Sequence, residues 1–206
     1  MSESRLPAIV SWLALATVLA AAFAAGFFWL APAPELRYAT VLPEPKVLPE
    51  FTLVDDQGQP WTNESVSGNW DVLFFGFTHC PDICPASLGT LAAALNKLEA
   101  RGKPRPNAVF VSVDPERDDV ARVGEYAGWF HAEMRGVTGS KAAIDEFAAA
   151  AAIGVVRHEA NEHGEYMVDH TASLVLIDPR GRIAGYISPP LHHAKIAHDI
   201  EILMSR

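Results

Sequence analysis

The sequence predicts an α/β sandwich around one mixed sheet, carried behind a single N-terminal membrane-spanning helix. Three observations carry that reading. An uncharged apolar run of 23 residues, Ala8 to Leu30, stands near the amino end. Beyond it, apolar strand-like runs alternate with stretches of helical period. The last third holds two strand-like runs joined across Asp178-Pro179-Arg180-Gly181 and then one terminal helix. A βαβ start followed by a β-hairpin and a helix closes into one mixed sheet between helices.

Residues 1–7 form a short tail, and 8–30 is long enough to cross a bilayer with some tilt. A cleaved secretory signal is the competing reading, but its apolar region runs to about 7–15 residues and ends at a small-residue site. Here the run ends in Phe27, Phe28, Trp29 and Leu30, and Ala31-Pro32-Ala33 is followed by Pro34. The run is therefore read as an uncleaved anchor. Arg5 and Glu3 on one side and Arg37 and Lys46 on the other leave its orientation undecided by charge. Residues 31–49 carry Pro32, Pro34, Pro43, Pro45 and Pro49 and read as a stiff spacer. The folded domain is expected over 50–206, a comfortable single-domain length.

Within it, Phe51–Val54 and Gln59–Thr62 flank the turn Asp55-Asp56-Gln57-Gly58 as a short edge hairpin. Asp71 to Phe77 is a continuous apolar run, as in a central strand covered on both faces. Ala86 to Arg101 places Leu88, Leu91, Ala92, Leu95 and Leu98 at helical spacing and stops at Gly102. Ala108 to Val113 is a second buried strand. Asp114-Pro115-Glu116 then supplies an N-cap, a first-turn proline and an early acid for the next helix. Ser140 to Ile153 is helical, Tyr166–Val168, Ser173–Ile177 and Arg182–Ile187 are strands, and His192 to Met204 is the closing helix.

Half of the 206 residues are hydrophobic and a fifth are charged, a globular balance that excludes a disordered or fibrous chain. The formal net charge is −9 and no stretch clusters basic residues, so no nucleic-acid partner is expected. Cys80 and Cys84 are the only cysteines, which excludes a disulfide scaffold and makes them one functional pair.

That pair lies in Thr78-His79-Cys80-Pro81-Asp82-Ile83-Cys84-Pro85, between a buried strand and a helix N-terminus. Unpaired helix amides there lower a thiol pKa, so at least one thiolate is expected near neutral pH. Three intervening residues let the sulfurs close a disulfide or grip one ion, although a redox C-x-x-C has one residue fewer. Thiols buried merely as small hydrophobes have no need of two prolines and a histidine beside them. Structural zinc takes four ligands, and the chain has no second cysteine pair. Two thiolates with one imidazole form a soft set that suits copper.

Of the eight histidines, His170 directly precedes the strand expected beside the one ending at Cys80, and Asp169 before it could orient or charge-balance it. Taken alone, His170 reads better as a satisfied core histidine than as a ligand. His79 is too close to the first cysteine to fold back onto the same ion. His158 and His163 sit in a polar loop, and His192, His193 and His198 mark the last helix without a defined role.

Five stretches carry a resemblance. They are Phe75-Gly76-Phe77-Thr78-His79-Cys80-Pro81-Asp82-Ile83-Cys84-Pro85, Val111-Ser112-Val113-Asp114-Pro115-Glu116-Arg117-Asp118, Gly136-Val137-Thr138-Gly139, Asp169-His170-Thr171-Ala172-Ser173 and Ile177-Asp178-Pro179-Arg180-Gly181. In order and spacing, over roughly residues 45 to 206, the chain resembles the Sco (SenC) family. The resemblance implies a thioredoxin-like fold facing the periplasm from an inner-membrane anchor, or the intermembrane space of a mitochondrion. It implies one copper ion, Cu(I) or Cu(II), on Cys80, Cys84 and His170, with Asp169 and Asp114 in support. It further implies delivery to the CuA centre of cytochrome c oxidase subunit II, from an upstream periplasmic copper donor.

An incompletely coordinated ion can pass to a partner thiolate by ligand exchange, and oxidation of the pair to a disulfide would release it. The rival reading is a membrane-tethered thiol-disulfide oxidoreductase acting on the oxidase CuA cysteines or another exported protein. There Cys80 attacks, Cys84 resolves and His170 tunes the thiol. The spacing and the lack of a proline before the following strand argue against a generic thioredoxin, and a peroxidase would need further partners around Thr78.

Overall fold

Strands whose side chains are apolar on both faces belong in the middle of a sheet. In the computed structural model, which describes residues 12, 16–19 and 35–205, that place is taken by β4 (Asp71–Gly76), every residue of which is buried. Around it lie β1 (Thr40–Val47), β2 (Thr52–Asp55), β3 (Pro60–Thr62), β5 (Asn107–Ser112), β6 (Arg135–Thr138), β9 (Leu174–Ile177) and β10 (Arg182–Ile187). The sheet order is β1-β10-β9-β4-β5-β6-β2-β3. β4, β5 and β6 run parallel, while β9, β10, β1, β2 and β3 join antiparallel. The sheet is therefore mixed, and the hairpin β2–β3 sits at its edge, both as expected.

The helices are α1 (Ile83–Ala100), α2 (Val120–Phe130), α3 (Lys141–Ala150) and α4 (His193–Met204). α1 packs on α4, and α2 on β5 and β6. Leu88, Leu91, Leu95 and Leu98 on α1 enter a core with Phe74, Phe75, Phe110 and Phe147. Ser140 caps α3 by accepting from the Ala143 amide.

Four sequence expectations change, and a fifth is not reached by the described residues. First, the spacer of 31–49 is largely part of the domain. β1 lies inside it and pairs with β10, with a register shift between Val41 and Lys46. Pro43 and Pro45 fall in that irregular stretch of an edge strand, where a missing N–H is tolerated. Leu36, Tyr38 and Ala39 also pack on the core, so the compact unit runs from Leu36 rather than Glu50.

Second, Asp114 is not a helix cap. α2 begins at Val120, and Asp119 caps it by accepting from the Arg122 amide. Asp114 instead heads a turn in which the Arg117 and Asp118 amides donate to its carbonyl. Third, α1 starts at Ile83, which puts Cys84 inside its first turn. Fourth, the strand near 166 is β8 (Val168–His170), paired with β7 (Val155–Arg157) in a two-stranded ribbon separate from the main sheet. Fifth, the anchor expected over 8–30 lies almost wholly outside the described residues. Trp12 and residues 16–19 are helical, and no described helix is long and apolar enough to cross a membrane.

Asp199 on α4 ties the start of the domain to its end. It is fully buried, and its carboxylate accepts the amides of Arg37, Tyr38 and Ala39 at 2.9, 2.7 and 2.7 Å. Burial pushes its pKa up, but the His198 ring and the three amides outweigh that and hold it below the ordinary value of 3.8. A depressed carboxylate contributes stability above the unfolded-state value and loses it as pH falls through the folded value. Asp199→Ala should therefore lower stability at pH 7 by about 3 kcal/mol, leaving three amides without their acceptor. The parent should lose that advantage on acidification below pH 3.8, while the variant does not. Denaturant melts of both chains across pH 2–7 check this.

Candidate metal centre

The centre is built where β4 runs out. Beyond Gly76 the chain turns, with the Cys80 amide donating to the Phe77 carbonyl at 3.2 Å, and enters α1 at Ile83. The Cys84 amide donates to Cys80 Sγ at 3.4 Å, so the first helical turn closes on the first sulfur. β9 pairs antiparallel with β4, Phe74 opposite Leu174, and this brings the segment before β9 to the same end of the sheet as the cysteines. His170 Nε2 lies 3.4 Å from Cys84 Sγ. The ligand atoms of Cys80, Cys84 and His170 all lie within 4.8 Å of one another.

Both cysteines are free thiols. Cys84 is 0% exposed and Cys80 9%, so Cys80 is the sulfur nearer to solvent. The edges of Phe74 and Phe77 face the His170 ring at centroid distances of 5.9 and 6.1 Å, closing the apolar side of the site. His170 Nδ1 meets the Thr171 carbonyl at 3.3 Å. A carbonyl only accepts, so in the neutral ring Nδ1 carries the proton and Nε2 turns its lone pair toward the sulfurs.

At Cys84 the electrostatics run against the helix-terminus effect. Burial pushes the Cys84 thiol far above its usual range, with Cys80 and Asp118 adding to it and the Phe77 amide opposing. For Cys84, lost water outweighs the helix N-terminus, and the metal-free site holds it as a thiol. Burial pulls His170 below its ordinary value, against the Thr171 carbonyl and the charge of Asp169, so the imidazole is neutral at neutral pH. A neutral ring and a thiol that must shed its proton are what a soft cation would meet here.

Gly76 makes room for this. A Cβ at that position would sit 2.9 Å from Cys84 Sγ and 3.0 Å from the Phe74 ring.

The expected supporting residues behave differently. Asp169 does not hydrogen-bond His170; its exposed carboxylate pairs with His158 Nε2 at 2.8 Å. Asp114 is fully buried, but its partners are Arg117 and Tyr166. His192, His193 and His198 lie on or beside α4 and are not part of the cluster. The residue missed from sequence is Asp118. Fully buried, it accepts from the Thr78 amide (2.9 Å), Thr78 Oγ1 (2.6 Å) and Ser112 Oγ (2.7 Å), and so pins the turn two residues before Cys80. His79 Nδ1 stands 3.6 Å from the same carboxylate. Its acidic character within Asp114–Asp118 was visible, but its link to Thr78 is made only once β4 and β5 lie side by side.

An α/β sandwich with two thiols and an imidazole at the carboxyl end of its central strand defines a thiol-based metal or redox protein. A family model described as SCO1/SenC matches residues 40–205, and the chain belongs to that family. It is 42% identical over 129 residues to the protein SCO1 homolog 1, mitochondrial, of Arabidopsis thaliana, which covers 63% of this chain but only 38% of that protein. It is 34% identical over 151 residues to a putative copper-binding protein of Stutzerimonas stutzeri, covering 73% of this chain and 74% of that one. The crystal structure of Arabidopsis thaliana ScoI with copper bound superposes with a TM-score of 0.68 at 37% identity, over 73% of this chain and 93% of the other. The fold is thus the thioredoxin-like one that the resemblance implied.

Two outcomes follow from the packing. Gly76→Ala should destabilise the domain by about 1–3 kcal/mol, because Cys84 Sγ has no free space to retreat into; thermal melts measure this. In the metal-free chain, Cys84→Ser should still be alkylated at Cys80, whereas Cys80→Ser should resist alkylation until denatured. Mass spectrometry after timed iodoacetamide treatment reads both.

Proposed function

We propose that the chain is a copper chaperone that carries one copper ion, Cu(I) or Cu(II), on Cys80, Cys84 and His170. The observation that carries the reading is the convergence of two sulfurs and a neutral imidazole nitrogen within 4.8 Å at one end of the sheet. Three ligands of this softness suit copper, and the set is one short of the four that structural zinc takes. The family and the copper-bound Arabidopsis relative support it. The acceptor in this reading is the CuA site of cytochrome c oxidase subunit II, and an upstream periplasmic protein is the donor. The anchor over 8–30 would hold the domain on the periplasmic face of the inner membrane, or in the intermembrane space in a mitochondrial setting.

Copper is cargo here, so the site must fill and empty. Filling displaces the Cys84 proton, because the buried thiol is protonated when free. Emptying proceeds through Cys80, where a partner thiolate can approach the more exposed sulfur. Each incoming sulfur replaces one outgoing, and the ion stays coordinated throughout.

The same exposure difference favours a second reading, thiol-disulfide exchange. A Cys80 thiolate attacks a partner disulfide, one partner thiolate leaves, and Cys84 then displaces the other; the partner is reduced and the pair oxidised. The two readings part at His170. His170→Ala should weaken Cu(II) binding by more than the roughly 10–100-fold that loss of an outer-sphere group brings, with a shift of the thiolate-to-Cu(II) absorption band in whatever copper remains bound. Equilibrium titration with absorption and EPR detection measures it. Undiminished affinity would refute the three-ligand site, and loss of exchange activity with copper binding intact would favour the oxidoreductase. In the parent, affinity should fall as pH is lowered, since protons compete for Cys84 and His170.

A further inference from the structure

The two sulfurs and the imidazole come from parts of the fold that no sheet ladder joins. Cys80 and Cys84 sit at the junction of β4 and α1. His170 ends β8, and the β7–β8 ribbon pairs only with itself. The β4–β9 pairing delivers the segment to that end of the sheet, and something other than β-pairing must fix the ribbon there.

The contacts that do so centre on one guanidinium. Arg117 Nη1 donates to the Tyr166 carbonyl at 3.0 Å, and its Cζ lies 3.7 Å from the centroid of the Tyr166 ring. Arg117 Nε donates to one oxygen of the buried Asp114 and Tyr166 Oη to the other, each at 2.5 Å. Asp114, Arg117 and Tyr166 thus close a triangle, with Tyr166 four residues before His170. On its other side Arg117 lies 5.7 Å from the Phe77 ring. Phe77 in turn borders His170 and accepts the Cys80 amide through its carbonyl. One side chain therefore touches both walls of the site. Arg157 adds a second tie, Nε and Nη2 both donating to the Val113 carbonyl at 3.1 and 2.6 Å.

Buried ion pairs of this kind are weak devices for stability, since apolar packing of the same volume serves as well. What a planar guanidinium adds is fixed geometry. We propose that Arg117 and Tyr166 are positioning residues that hold the His170 ribbon against the cysteines, and that they thereby make the site competent for Cu(II) as well as Cu(I). The inference rests on the copper reading above. Two thiolates alone satisfy Cu(I), whereas Cu(II) gains from an imidazole nitrogen. If the ribbon spends only a fraction of its time in place, apparent affinity for an ion that needs His170 falls by that fraction.

Tyr166→Phe and Arg117→Lys test this. Both keep most of the side-chain volume, each removes one of the ties, and neither removes a proposed ligand. In the metal-free chains, amide exchange at 155–157 and 168–170 should accelerate about tenfold or more, the scale of one lost hydrogen bond to a charged group. Affinity for Cu(II) should fall by the occupancy the ribbon loses, and by more than affinity for Cu(I), which, measured by competition with a Cu(I) chelator, should stay within about threefold. Equal weakening of both oxidation states, or unchanged exchange in the ribbon, would overturn the proposal. Should the parent chain bind no copper at all, the copper reading fails and the selectivity fails with it. The metal-free exchange data would still decide whether Arg117 and Tyr166 hold the ribbon.

Discussion

The pairing of β4 with β9 is the constraint on which the site depends. Phe74 stands opposite Leu174, and because the strands are antiparallel, the residues after 76 and those before 174 leave the sheet at the same end. A slip of one residue would exchange the two buried faces of β4, so that each side chain met the wrong packing partners. Core packing therefore holds the register, and the register brings the segment before β9 to the end of the sheet where the cysteines lie. Stability and chemistry are specified by the same side chains.

Two effects compete at Cys84, and their sizes decide the outcome. The first turn of a helix favours a thiolate, but only by fractions of a kcal/mol to about 2 kcal/mol. Complete burial beside Phe74, Phe77 and Gly76 works the other way and is larger. The site is in this respect unlike a nucleophilic helix-terminal cysteine: the inner thiol waits in its protonated form. In the proposed reading, proton loss is then tied to arrival of a cation.

Much of the architecture could be read from local pattern. β4, β5, β9 and β10 are apolar runs bounded by turn residues, and α1 and α3 carry apolar residues at helical spacing. What stayed hidden depends on distant partners. β1 is proline-rich and looks like a spacer until β10, some 140 residues further on in the chain, offers it an edge. Asp114 followed by proline is a good helix-cap signal, yet Arg117 and Tyr166 draw its carboxylate inward. Cysteine spacing and the Asp169-His170 pair singled out these side chains, and the structure brings the two sulfurs and a ring nitrogen of His170 within 4.8 Å of one another. The role of Asp118 beneath Thr78 and the tie between Asp169 and His158 are products of tertiary packing alone.

The knot at Asp199 joins residues near the two termini of the domain, and β1 covers β10 just beyond it. A fragment begun at Glu50 would lose both at once. β10 would then present a bare rim of unpaired amides and carbonyls, the kind of border along which separate molecules zip together. The proline-bearing stretch ahead of Glu50 thus serves as a hem, keeping neighbouring copies from stitching themselves into aggregates.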